Sequence, residues 1–136
     1  MSMPPDVKAF NRAIIEEFRA NGGRLSGPMA KSQLILLTTI GARSGEPRTT
    51  VIGYRPRGDE LVAIASDNGA PNHPKWYRNL LAHPTATVEL GAERFEVRAR
   101  TARPDEREEL ARLVSYMESQ QKLTEREIPI VVFERI

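Results

Sequence analysis

Consecutive apolar runs in this chain are joined by links too short to cross a sheet. Leu34–Thr39 and Thr49–Tyr54 flank a glycine-punctuated stretch; Leu61–Ser66 follows across Arg55-Pro56-Arg57-Gly58-Asp59-Glu60; Thr85–Leu90 meets Arg94–Thr101 around Gly91-Ala92. Parallel neighbours need a crossover of about a dozen residues or more, usually a helix. These links instead carry Gly and Pro, which permit a tight reversal. In the last run Phe95, Val97 and Ala99 alternate with Arg94, Glu96, Arg98 and Arg100, one face dry and the other wet.

Helical patterns punctuate the strands. Val7, Phe10, Ile14 and Phe18 form one stripe of a helix over about Asp6 to Ala20, ended by Asn21-Gly22-Gly23. That helix packs on the domain or, as the alternative, lies weakly on a membrane surface. A short helix fits Pro74 to Ala82, with Trp76 and Leu80 on one face and Tyr77 and Leu81 on another. A further helix starts at Pro104, places Asp105, Glu106, Glu108 and Glu109 in its first turns, and is predicted to bury Leu110, Leu113, Val114 and Met117. Ile130–Arg135 reads as a sixth strand. The order predicts a single α+β, mainly β domain over residues 1–136: an antiparallel six-stranded sheet or small barrel with peripheral helices.

Composition narrows the chemistry. With no cysteine, disulfides, thiolate metal sites and cysteine nucleophiles are excluded, and His73 and His83 alone do not make a conventional metal site, so no metal is expected. Lys and Arg number 20 against 18 Asp and Glu, too even a balance for wholesale nucleic-acid binding. The Met-Ser-Met-Pro-Pro-Asp start lacks the basic and apolar regions of a secretory leader, and Leu34–Leu37 is far shorter than the ~20 apolar residues of a membrane span. A cytoplasmic location is the expectation.

Three polar clusters are in excess of what the fold requires. In Thr38-Thr39-Ile40-Gly41-Ala42-Arg43-Ser44-Gly45-Glu46-Pro47-Arg48 the reversal needs Gly41, Gly45 and Pro47, but not Arg43, Ser44 or Arg48. Two guanidinium forks, a hydroxyl and accessible backbone N–H groups suit an anion. Residues 41–57 hold Arg43, Arg48, Arg55 and Arg57 against Glu46 alone, a local charge of +3 in a chain of net charge +2. The second cluster, Ser66-Asp67-Asn68-Gly69-Ala70-Pro71-Asn72-His73-Pro74, leaves backbone open to a ligand at a strand end. The third is Lys75-Trp76-Tyr77-Arg78-Asn79-Leu80-Leu81, which taken alone reads as a core-packing helix. No nucleophile–base–acid set is legible, so bond-making would fall to a cofactor.

In register, TTIGARSGEPRTT (38–50), AIASDNGAPNHPKWYRNLLAHP (63–84) and REIPIVVFER (126–135) resemble the deazaflavin-dependent nitroreductase family of actinobacteria. The resemblance covers roughly residues 30 to 136. It implies a split β-barrel of the FMN-binding kind and an F420-dependent reductase that binds reduced coenzyme F420, a deazaflavin with a ribityl phosphate and an oligoglutamate tail. By analogy, Ala42, Arg43, Ser44, Gly45 and Arg48 hold phosphate and tail, and the backbone of Thr49, Thr50, Val51, Ile52 and Gly53 runs beside the ring. Ala65, Ser66 and Asp67 supply second-loop contacts, and Lys75, Trp76, Tyr77, Arg78 and Asn79 close on the cofactor. The implied reaction is hydride transfer to an electron-poor small molecule: an activated C=C of an enone, lactone or quinone, or a nitro compound. Tyr116 is the candidate proton donor. Alternatives are an FMN-dependent oxidoreductase on the same fold and a non-catalytic F420 carrier; a homodimer is plausible by analogy.

Two departures from the family pattern carry expectations. Asp67 stands where relatives often have Lys, so either it points away from an anionic tail or Arg43, Arg48 and Lys31 carry more of the binding. Tyr116 is the sole tyrosine in Tyr116–Gln121, where the nitroimidazole-reducing member has several, which weighs against nitroimidazole reduction.

Overall fold

The computed structural model describes residues 7–25 and 33–136, with side chains for all of these except residues 7–11 and 68. Lys31, expected to help with anion binding, lies outside the described residues. The elements are helix α1 (Val7–Ala20), strands β1 (Leu34–Ile40), β2 (Pro47–Gly53), β3 (Arg55–Arg57) and β4 (Glu60–Ile64), helix α2 (Lys75–Ala82), strands β5 (Thr85–Leu90) and β6 (Glu93–Thr101), helices α3 (Pro104–Leu113) and α4 (Met117–Gln121), and strand β7 (Ile130–Arg135).

All strand pairs are antiparallel, and the sheet runs β2-β1-β5-β6-β7-β4-β3. Its two edges, β2 and β3, are one stretch of chain separated by Tyr54 alone. The sheet therefore curls until one bent strand serves both edges, which is how a barrel is made from an open sheet. Counted this way there are six long strands; counted by pairing there are seven. The extra strand, Arg55–Arg57, falls in a segment that reads as turn because it holds Pro56. Proline lacks an N–H but is tolerated here because β3 is an edge.

Two apolar clusters share the sheet. The inner one gathers Ile35, Leu37, Ala63, Ala65, Tyr77, Leu80, Val88, Val97, Val131 and Phe133; the outer one gathers Val62, Ile64, Leu110, Val114, Met117, Ile128, Ile130 and Val132. Alternate residues of β4 and β7 thus face opposite cores, which is why Ile130-Val131-Val132-Phe133 is continuously apolar instead of alternating. Such side chains contribute about 1.5–3 kcal/mol each when fully buried.

Helix α1 packs on the sheet: Ile14 and Phe18 are buried, and Arg19 grips Glu89 of β5 with two bonds of 2.9 and 2.8 Å. Ile15 is half-buried, and Ala13 and Ala20 are exposed. The helix predicted from Pro104 is broken after Leu113, which is exposed and not buried as that helix would have it; Leu81 of α2 is exposed as well. The break at Val114-Ser115-Tyr116 starts a new helix at Met117 and lets Val114 and Met117 both reach the outer core. Glu106 closes the start of α3 by accepting a hydrogen bond from the Arg103 N–H at 3.0 Å.

Candidate active site

The arginine turn is built from the backbone outward. Gly41 N–H donates to the Glu46 carbonyl (2.8 Å), Gly45 N–H to the Gly41 carbonyl (2.9 Å), and Glu46 N–H to Ser44 Oγ (3.2 Å). Ser44 therefore shapes the turn while its hydroxyl hydrogen is not used by that bond. Arg43 and Arg48 are exposed. Among the described residues Arg48 pairs with Glu46, at 3.6 Å, with both side chains about two-thirds exposed, a pair worth little in water. Two guanidinium groups thus stand clear of the fold, at the disposal of a ligand.

Asn79 joins this turn to α2. Its Oδ1 accepts from the Ala42 N–H (3.0 Å) and its Nδ2 donates to Thr39 Oγ1 (3.1 Å), with Thr39 and Asn79 both buried. Of the five residues from Lys75 to Asn79, two are therefore spent on the fold. Tyr77 is buried with its hydroxyl 2.8 Å from Thr101 Oγ1, edge-on to His73 and Trp76. Lys75 and Arg78 are exposed, and Trp76 is half-buried against Phe133 with ring centroids 6.4 Å apart.

β2 leads from the turn to the second half of the site. It pairs with β1 on one side only, so its other row of backbone groups is not used by a strand. Thr49, Thr50, Val51, Ile52 and Gly53 are all half-buried, and Ile52 packs on the same inner core as Trp76. From Arg48 to Gly53 an extended strand spans roughly 17 Å.

At the far end stands Tyr116. Its hydroxyl lies 2.8 Å from where a Cβ on Gly53 would sit, so any larger residue there would have to displace the phenol. The Arg55 guanidinium sits 5.2 Å from the centre of the Tyr116 ring, held by the Tyr54 carbonyl at 2.8 Å and Ser115 Oγ at 3.4 Å. Burial raises the phenol's pKa and the Arg55 charge opposes it only in part. The phenol stays protonated at neutral pH, as a proton donor must.

The second loop turns tightly through Asp67–Gly69, with exposed Asp67 at φ 45°, a left-handed conformation uncommon for any residue but glycine. What holds it is Arg126, at the start of the 126–135 motif, for which the sequence alone shows no role. No group of three His, Asp or Glu able to hold a metal occurs among the described residues. Two concavities, about 570 Å³ along α3 and α4 and about 210 Å³ beside Tyr77 and Thr101, lie away from the arginine turn. Residues 42–48 of the turn are exposed and residues 49–53 of β2 are half-buried.

The family model described as F420H(2)-dependent quinone reductase matches residues 10–135. The chain belongs to that family. It is 36% identical over 128 residues to the F420H(2)-dependent quinone reductase of Mycobacterium tuberculosis, covering 87% of this chain and 85% of the relative. Among solved structures, an F420-H2 dependent reductase, FDR-A, superposes with a TM-score of 0.67 at 31% identity, over 75% of this chain and 94% of that one. A second, described as a domain-swapped dimer, gives 0.69 at 29% identity, over 90% and 96%. The split-barrel fold and F420-dependent oxidoreductase class implied by the resemblance are thereby established, and the FMN alternative is not needed. Among the described residues no helix is long and apolar enough to cross a membrane.

The donor set fits this family's cofactor. Uncommitted guanidinium groups suit a polyanionic tail, and a half-buried strand with one unpaired edge suits a flat ring.

Proposed function

We propose that the protein reduces a quinone with reduced F420, bound along β2 with its tail at the arginine turn and its ring toward Gly53. The observation that carries this reading is the polarity of β2: exposed cations at one end, a protonated phenol over a glycine at the other. Arg43, Arg48 and the turn around Ala42, Ser44 and Gly45 hold the anionic tail through charge-assisted hydrogen bonds. The backbone of residues 49–53 lies along the ring, with Ala65, Ser66 and Asp67 beside it. From α2, Lys75, Trp76 and Arg78 present side chains, while Tyr77 and Asn79 hold that helix in place from within.

When bound, the reduced cofactor supplies a hydride. The Tyr116 O–H donates a hydrogen bond, then a proton, to one acceptor carbonyl oxygen, and regains a proton from solvent. Arg55, beside the ring, stabilises the phenolate that forms in between. The remaining contribution is orientation of two flat molecules against each other, which alone accounts for large rate factors.

Purified protein titrated with reduced F420 should show quenching of Trp76, and mixing with quinones, enones, lactones and nitroaromatics should show turnover with quinones fastest. Absence of binding at tens of micromolar would remove the reading; tight binding without turnover on any acceptor would favour a carrier role. The likeness to a domain-swapped dimer supports a dimer for this chain as well, which light scattering on the eluted protein decides.

A further inference from the structure

The Arg126 guanidinium makes four hydrogen bonds, all to the second loop and its two ends. Nη1 donates to the Ala65 carbonyl at 3.1 Å, Nη2 to the Ser66 carbonyl at 2.7 Å, and Nε to the Ala70 carbonyl at 2.8 Å. Nη1 also lies 3.0 Å from His73 Nδ1. Since a guanidinium only donates, Nδ1 is the acceptor and the His73 proton sits on Nε2. Burial first, then the charges of Arg126 and Arg78, lower the His73 pKa, keeping the ring neutral and able to accept.

These contacts reach the end of β4, the tight turn and the residue before Pro74 at the start of α2. Within the turn the Gly69 N–H donates to the Ser66 carbonyl (2.9 Å) and the Ala70 N–H to the Asp67 carbonyl (3.0 Å), but there is no side-chain cap and Asp67 holds an uncommon φ, so these short-range bonds shape the turn while Arg126 ties it to the connection before β7. A second anchor comes from the same connection between α4 and β7. A Cβ on Gly69 would fall 2.4 Å from the Leu123 Cβ, so the loop is pressed on that segment. With peptide planes rigid, fixing the Ala65 and Ser66 carbonyls fixes which way the Ser66 and Asp67 N–H groups face. A planar fork with five N–H groups can serve acceptors in several directions at once; an ammonium on a flexible stem cannot hold this geometry.

We propose that Arg126 is a positioning residue for the cofactor: it touches no ligand, but sets the second loop and the start of α2 in the geometry that binds reduced F420. This rests on the reading that the loop contacts the cofactor. It also explains how Asp67 can replace a cation in this loop, because the loop's contribution comes from its held backbone and not from that side chain.

The test uses the full chain with Arg126→Lys and Arg126→Gln, measuring melting temperature, Kd for reduced F420 by Trp76 fluorescence, separate KM values for cofactor and quinone, and hydrogen–deuterium exchange over residues 65–73. Expected for Arg126→Lys are a folded protein, faster exchange confined to that segment, and a cofactor Kd and KM raised about tenfold or more, with the quinone KM within about twofold at saturating cofactor. Cofactor affinity unchanged within about twofold in both variants would overturn the proposal. So would global unfolding of both, which would make Arg126 a residue of the fold. If the unaltered protein itself fails to bind reduced F420, the functional reading is what has failed, and the exchange data still report whether Arg126 holds the loop.

Discussion

The hydroxyl of Tyr116 rests over the backbone of Gly53, 2.8 Å from the position of an absent Cβ. Strand and phenol are thus fitted to each other at the bend where β2 passes into β3. Gly53→Ala should push the ring aside and lower kcat more than cofactor affinity. Tyr116→Phe should lower kcat by about tenfold to a hundredfold, toward the lower end of general-acid contributions, with little loss of stability. The two changes should not add, since removing the hydroxyl removes the clash. A double-mutant cycle on melting temperature reads this directly; strictly additive losses would mean that the contact is unimportant.

Arg48 tests the anion end. Among the described residues its close partner is Glu46 at 3.6 Å, both highly exposed, so Arg48→Ala should leave the melting temperature within experimental error. Cofactor affinity should fall more than tenfold, about 1.4 kcal/mol or above, because a hydrogen bond to a charged group is worth ~1.5–3 kcal/mol. Arg48→Lys should fall between, keeping the charge but not the fork. Binding by the unaltered protein should also weaken with added salt. An Arg48→Ala variant that binds normally would reassign the turn to structure.

What could be read from residues alone follows from how local each signal is. Strand β6 announces itself by alternation, and the arginine turn stands out because a reversal has no use for Arg43 or Arg48. The split between β2 and β3 was hidden because it depends on the curl of the whole sheet, and Pro56 made an edge strand resemble a turn. The helix break after Leu113 was hidden too, since Leu110, Val114 and Met117 keep a helical spacing while only the outer core decides where each goes. Tyr116 could be named as a lone tyrosine, but its fit to Gly53 joins distant parts of the chain. Arg126 gives no local signal at all. Its partners are chiefly backbone carbonyls on the far side of the sequence, and any residue offers those. Asn79 is similar: its place on α2 was legible, but its bond to the Ala42 N–H depends on how the helix docks.

That bond gives a prediction of its own. Asn79→Ala would strand the buried Thr39 hydroxyl and free the Ala42 N–H, at a cost of about 1–3 kcal/mol, a fall of several degrees in melting temperature. Cofactor affinity should fall as well, because the turn loses its tie to α2. Asn79→Asp keeps an acceptor for Ala42 and loses only the donor to Thr39, and should retain more of the affinity than of the stability. Equal affinity in both variants would show that the turn holds its shape unaided.

Glu106 sets the acid limit of the fold. It is buried between Arg100 and Arg103, with Arg57 at 4.0 Å. The hydrogen bond from Arg100, then that from the Arg103 N–H, pull its pKa from 4.5 down to about 2 against the opposing effect of burial. The folded value lies below the unfolded one, so the stabilisation is full above about pH 4.5 and is lost as pH falls toward 2. Allowing for the solvent around its partly exposed arginines, the amount is on the order of 1 kcal/mol. Glu106→Gln should therefore lower the urea midpoint at pH 7 and flatten its decline between pH 4.5 and about 2. A variant whose midpoint still tracks that of the unaltered protein across this window would show that other carboxylates govern acid unfolding.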